Sequence, residues 1–169
     1  MKTSSNKRRI VAISLCSSGF GYAVLEGQGV LVDYGNKGAK QPKNENGLAA
    51  AKKILTYNQP GVLVLHDMLA EGARRAPRIK QLAEDIASLA KRMNIKVVKI
   101  SGRKVRRIFL GDETATKYEL AKFVAERFPD DLAHRLPARR KAWESEDRRM
   151  NIFDAMALGI AYQMGTKRV

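Results

Sequence analysis

The residue pattern predicts an α/β domain built on a mixed five-stranded sheet, three antiparallel strands followed by two parallel ones, flanked by helices. Three observations lead there. Short apolar runs separated by Gly-containing turns fill the first third of the chain, as an antiparallel meander requires. Val62–Leu65 is uniformly apolar, as a strand covered on both faces should be. From there on, strands alternate with segments of helical period, which implies parallel crossovers. No internal repeat and no linker divides the 169 residues, of which 44% are hydrophobic. One domain is expected over residues 9–169, preceded by a basic, flexible stretch at 1–8.

The elements follow in order. Ile10–Leu15, Gly21–Leu25 and Val30–Tyr34 read as the meander. Gly35–Asn46, rich in Gly, Lys, Asn and Pro, reads as a loop, and Leu48–Asn58 as a helix ended by Pro60-Gly61. After the Val62–Leu65 strand and a basic loop, a helix is predicted over Pro77–Met93. Ile79, Leu82, Ile86, Leu89 and Met93 form its apolar stripe. Ile95–Ile100 is the fifth strand, and Arg103–Leu110 a basic helix or loop. Thr114–Phe128 reads as a helix stopped by Pro129, and Asp130–Lys141 as a polar surface excursion. The last helix is expected over Glu144–Met164, with Phe153, Ala157, Ile160 and Met164 inward.

Charge narrows the function classes. The formal net charge is +15, and a domain this basic gains affinity for polyanions by releasing counterions from phosphate backbones. Arg74, Arg75 and Arg78 follow the fourth strand; Arg103, Lys104, Arg106 and Arg107 follow the fifth; Arg135, Arg139, Arg140 and Lys141 precede the last helix. Loops after parallel strands gather at one sheet edge, so the first two groups should converge near His66 as a phosphate-tracking cleft. Tyr118 and Trp143 could stack on bases, although a lone Trp more often belongs to a core. The single cysteine, Cys16, excludes an intrachain disulfide and reads as a small buried filler. No run approaches the ~20 apolar residues of a membrane span, and no signal-peptide pattern follows Met1–Arg9. An intracellular, cytoplasmic or nucleoid-associated protein without membrane partners is expected.

Three motifs carry a resemblance. The first is Arg9–Leu25, a strand, a polar turn and a second strand with Ser14 seven residues before the Gly21-Tyr22 pair. The second is Val105–Gly111 followed by Ala115-Thr116-Lys117, and the third is Asn151–Ala161 with Asp154 three residues after Asn151. Together they resemble the RuvC-type Holliday-junction resolvases of the ribonuclease H-like nucleases. The resemblance runs from Arg9 to about Met164 and implies that fold. It also implies that Lys117 and Arg106 stand where the family contacts DNA phosphate, and that a homodimer can form. The family's carboxylate positions then fall on Ser14, His66, Asn151 and Asp154. Its aromatic wedge, three residues past the strand-end Glu, falls on Leu69.

Those substitutions decide the expected chemistry. Two-metal phosphodiester cleavage needs several carboxylates around hard, oxygen-seeking cations. Ser14 is a poor ligand, Asn151 offers a neutral carbonyl, and His66 would favour a transition metal. Only Asp154 keeps its charge. A rescue site from His66, Asp67 and Asp154 is conceivable, but adjacent strand residues face opposite sides of a sheet. Asp147, on the same predicted helix, would lie ~10.5 Å along the axis from Asp154. Asp154 could equally be a helix-surface acid paired with Arg148 or Arg149, and His66 a hydrogen-bonded strand-end residue.

The expected function is therefore nucleic-acid binding on a RuvC-like scaffold that has lost nuclease activity. Branched or duplex DNA, or structured RNA, would be the partner, held by Lys117, Arg106 and the arginine groups. No cofactor is expected. Mg²⁺ or Mn²⁺ enters only under the alternative of a divergent junction endonuclease with a rearranged site. A structural ribonucleoprotein or partner-binding component is the third possibility.

Overall fold

A computed structural model describes residues 9–69 and 75–166. The predicted stretch at 1–8 and Arg74 lie outside those residues. The sheet has five strands: β1 (Arg9–Cys16), β2 (Gly19–Glu26), β3 (Val30–Gly38), β4 (Val62–His66) and β5 (Lys96–Ile100). Their order is β3-β2-β1-β4-β5. β1–β2 and β2–β3 are antiparallel, whereas β1–β4 and β4–β5 are parallel. This is the mixed sheet expected from the sequence.

Helices cover both faces. α1 (Lys43–Asn58) and α2 (Pro77–Arg92) lie on one side, against Val11, Ile13, Leu15, Leu63 and Leu65. α3 (Gly102–Leu110), α4 (Lys117–Arg127) and α6 (Met150–Thr166) lie on the other, over Ile10, Ala12, Ala23, Leu25 and Val64. Strand alternation explains the division, because odd and even positions of β1 enter separate cores. Burying β1, β2 and β4 on both faces contributes about 1.5–3 kcal/mol per large apolar side chain. Among the described residues, no helix is long and apolar enough to cross a membrane.

Several boundaries differ from the sequence expectation. β3 continues through Gly38, since pairing with β2 satisfies the backbone of a stretch whose composition suggests a loop. α1 starts at Lys43, five residues earlier than predicted. α4 starts at Lys117, where Thr116 and Glu119 form a reciprocal capping box. The Asp130–Lys141 excursion is partly structured: α5 (Pro129–Leu132) inserts the fully buried Leu132 into the core, and Tyr34 Oη donates to the Asp131 carbonyl at 3.0 Å.

α6 begins at Met150, six residues after the predicted start. The Asp147 carboxylate accepts the Arg149 N–H at 2.9 Å, a local bond that competes with helix in the preceding residues. Asp147 is therefore outside the helix, and the axial separation from Asp154 computed for a shared helix does not apply. α6 packs tightly on β2. A Cβ added at Gly21 would sit 2.3 Å from the Asn151 backbone, so the Gly21-Tyr22 pair is the place where helix and strand meet.

Candidate nucleic-acid interface

The carboxyl ends of β1 and β4 meet the first turn of α6. The β1–β4 register pairs Ile13 with Leu65, so the next step sets Ser14 beside His66. Both project, by strand alternation, to the face carrying Ala12 and Val64, which α6 covers. Asn151 and Asp154 come from that helix and are buried with Ser14. The fold thus gathers the four positions Ser14, His66, Asn151 and Asp154 at one sheet edge.

A lysine sits among them. Lys117 Nζ lies 3.0 Å from Asp154 Oδ2 and 2.6 Å from Glu146 Oε1. The Asp154 side chain is only 9% exposed, so its charge has to be matched locally. Burial pushes its carboxyl above the usual range, and the Lys117 ammonium pulls the other way. For Lys117, burial is the largest influence and favours the neutral amine. Asp154 and Glu146 outweigh it, so the ammonium is held beyond its ordinary pH range. The partner of Asp154 is therefore Lys117, and neither Arg148 nor Arg149. Arg149 instead grips Asp147, with Nη2 at 2.8 Å. The reading of Asp154 as a helix-surface acid is likewise replaced by a buried one.

The neutral positions are tied into the protein. Asn151 Nδ2 donates to Cys16 Sγ at 3.1 Å, and Cys16 Sγ also lies 3.1 Å from Ser18 Oγ. Cys16 is more than a filler, since it anchors the start of α6 to the end of β1. His66, at the strand end, is held neutral: burial first, then the charges of Arg75, Lys117 and Arg106, lower its pKa to about 3. Among the described residues no hydrogen bond involves its ring, so the hydrogen-bonded reading is not the one seen here.

Asp67 turns away from this cluster. Its carboxylate accepts the Leu69 N–H at 3.0 Å, while its own N–H donates to the Ile100 carbonyl at 3.0 Å. Among the described residues no three His, Cys, Asp or Glu side chains come together to hold a metal ion, so His66, Asp67 and Asp154 do not assemble one. The donor chemistry does not fit a pair of divalent cations either. Among the described residues one buried carboxylate is present, and it is already paired with an ammonium.

The basic groups separate on folding. Arg75 and Arg106, one residue from each of the first two groups, lie close enough to His66 to act on its charge. Arg106 is oriented by Nε donating to the Glu113 carbonyl at 2.9 Å. Arg103, Lys104 and Arg107 are exposed on α3, and Arg107 pairs with Glu113. Arg78 is turned instead to Asn44 Oδ1 at 3.0 Å and the Ser17 carbonyl at 3.3 Å. Leu69 is 81% exposed, and Trp143, at 80%, belongs to no core. Glu146 escaped the sequence reading because it is 29 residues from Lys117 and outside any motif.

The neutral state of His66 has a measurable consequence. Protonation near pH 6.5 is available to the unfolded chain but not to the folded one, so the unfolded state binds more protons between about pH 3 and 6.5. Stability should therefore fall as pH drops through that window. Allowing for the partial exposure of the ring, the loss is about 2 kcal/mol between pH 7 and 4.5. Asp154, whose shift is upward, acts in the opposite direction. Denaturant unfolding of wild type and His66→Gln, which share Asp154, isolates the histidine: the wild type should lose more stability on acidification.

No protein-family model matches the chain, and no curated protein does. Solved structures do. RuvC of Thermus thermophilus is 14% identical and superposes with a TM-score of 0.71, over 95% of this chain and 96% of that one. The T. thermophilus RuvC structure in complex with Holliday junction substrate gives 0.70 at 13% identity, with the same coverage. The yeast mitochondrial Holliday junction resolvase gives 0.66 at 9% identity, over 96% of this chain and 80% of that one. Coverage this complete, with the matching strand order, establishes that the chain has the ribonuclease H-like fold in its RuvC form.

Proposed function

We propose that this protein binds nucleic acid through the carboxyl edge of its sheet and does not cleave it. One observation carries the reading: the Lys117 ammonium lies 3.0 Å from Asp154, the only buried carboxylate among the described residues, while Ser14 and Asn151, buried at the same sheet edge, are neutral. Arg75 and Arg106 flank it, and Arg103 and Lys104 extend the positive surface along α3. Such an arrangement attracts phosphate and repels dications. Contacts of this kind follow the backbone and its shape and leave base sequence unread.

Likeness to a RuvC solved with a Holliday junction favours branched DNA as the ligand, with duplex DNA and structured RNA as the comparison arms of the test. A homodimer is expected from the same resemblance, and sedimentation of the protein alone checks it.

Each phosphate neutralised adds about 0.9 to the salt slope of log K on duplex DNA. With about five cations engaged, affinity for a four-way junction should fall some two to three orders of magnitude between about 50 and 200 mM salt. Arg103→Ala/Lys104→Ala should reduce the slope by about two, and equally for unrelated sequences. The same junction should stay intact with Mg²⁺ or Mn²⁺. Salt-independent binding, or cleavage lost in Asp154→Asn, would overturn the proposal.

A further inference from the structure

Beside the charged cluster, between the start of α4 and the segment leading into α6, lies a pocket of about 350 Å³. That is within the range of about 300–1,000 Å³ typical of small-ligand sites. Buried Pro137 and Met150 give it apolar lining, Tyr118 an aromatic face, and the exposed Arg139 and Arg140 two cations. Lys117 lines it as well, so the pocket and the cluster share a residue. The acids in it are already engaged, Glu146 with Lys117 at 2.6 Å and Asp147 with Arg149 at 2.8 Å. Among the described residues neither Arg139 nor Arg140 is in an ion pair. Arg140 Nη1 donates to the Glu144 carbonyl at 3.1 Å, which uses one of its five N–H donors.

The spacing of the two flat groups is informative. The Arg139 guanidinium lies 6.0 Å from the Tyr118 ring centroid. That is the outer limit of a cation–π contact, so the pair is loosely held. Arg139 is exposed, and its side chain can move off the ring to admit a base. Arginine and tyrosine faces are both established stacking partners for bases.

We infer that this pocket receives a single unpaired nucleotide, its base between Tyr118 and Arg139 and its phosphate on Arg140, from a strand whose neighbouring phosphates pass Lys117. The inference rests on the proposed nucleic-acid-binding function and narrows it to ligands with an extrahelical or junction-flanking nucleotide. Neither the charged cluster nor a phosphate-tracking surface needs such a pocket.

Two duplexes identical except for one central unpaired adenosine test it by fluorescence anisotropy at fixed low salt. Wild-type protein should bind the bulged duplex about tenfold more tightly, within the range that stacking one base on an aromatic face contributes. In Tyr118→Leu the ratio of affinities should fall to about one. In Arg139→Ala, at an exposed residue whose loss spares the core, it should fall at least about threefold. A 2-aminopurine at the unpaired position should be quenched on wild type and less so on Tyr118→Leu. Equal binding of the two duplexes by wild type overturns the pocket assignment and leaves the broader reading standing. A tenfold ratio that survives both substitutions also overturns it. Failure to bind either duplex while a four-way junction is bound overturns the pocket assignment, and failure to bind all three overturns the broader reading itself.

Discussion

Lys117→Met is expected to destabilise the fold by about 2–3 kcal/mol at pH 8 while weakening nucleic-acid binding. The ammonium is the direct ion-pair partner, at 3.0 Å, of a carboxylate whose side chain is 9% exposed. Removing one member of a buried pair typically costs 3–5 kcal/mol, because the other charge is left without compensation. Lys117 itself is 41% exposed, and solvent screening reduces the figure accordingly. For a chain of this length the loss corresponds to a fall of about 5–10 °C in Tm. The pH dependence gives the argument its sign. Burial already raises the Asp154 pKa, and without the ammonium it rises further. The folded variant then binds more protons than the unfolded chain above about pH 4, so its stability declines as pH rises. The deficit against wild type should be smaller at pH 5 than at pH 8. Adding Asp154→Asn should restore much of what Lys117→Met removes, since both partners are then uncharged. If the double variant is as unstable as the sum of the singles, Lys117 and Asp154 are not coupled and the charge-balance account of the site fails.

The fold was legible because its strands obey simple rules. Val62–Leu65 is apolar throughout and lies between β1 and β5, and the Ile10–Leu15 and Gly21–Leu25 runs form the hairpin. Residues that depend on local side-chain bonds were harder to read. Glu144–Arg149 has the composition of a helix start, yet Asp147 bonds its own neighbourhood and postpones α6 to Met150. Ser14, His66, Asn151 and Asp154 were brought together at the sequence level only by the resemblance to RuvC-type resolvases. What filled the site was not visible. Lys117 reads as a phosphate-contacting lysine, and only the approach of α4 to α6 turns it toward Asp154. Glu146 comes from an irregular segment, where no periodicity indicates which way a side chain points. Loop residues of this kind are placed by tertiary contacts alone.

Carboxylates placed at Ser14 and Asn151 should create a metal affinity that is not expected of the wild type. Ser14 and Asn151 are buried on the same face as Asp154, so Ser14→Asp/Asn151→Asp adds two buried carboxylates where Asp154 is the one present among the described residues. Without metal, like charges in a poorly solvated space repel, and the variant should unfold several degrees below wild type in EDTA. With Mn²⁺ at about a hundredfold over its Kd, binding to the folded state alone should return about 2.7 kcal/mol, raising Tm by about 5–10 °C. The wild type should not move, because Lys117 already neutralises Asp154 and because Asn151 turns its amide NH₂, a donor, to Cys16. The comparison separates two explanations of the same substitutions. If lost charge is the whole difference, the double variant responds to Mn²⁺ as it stands. If the Lys117 ammonium also excludes the ion, the response appears only when Lys117→Met is added, and the gain from that third substitution measures how strongly the ammonium opposes the ion. A Tm rise in wild type at the same Mn²⁺ concentration would contradict both, since it would require a cation to compete successfully with an ammonium 3.0 Å from Asp154, the only buried carboxylate among the described residues.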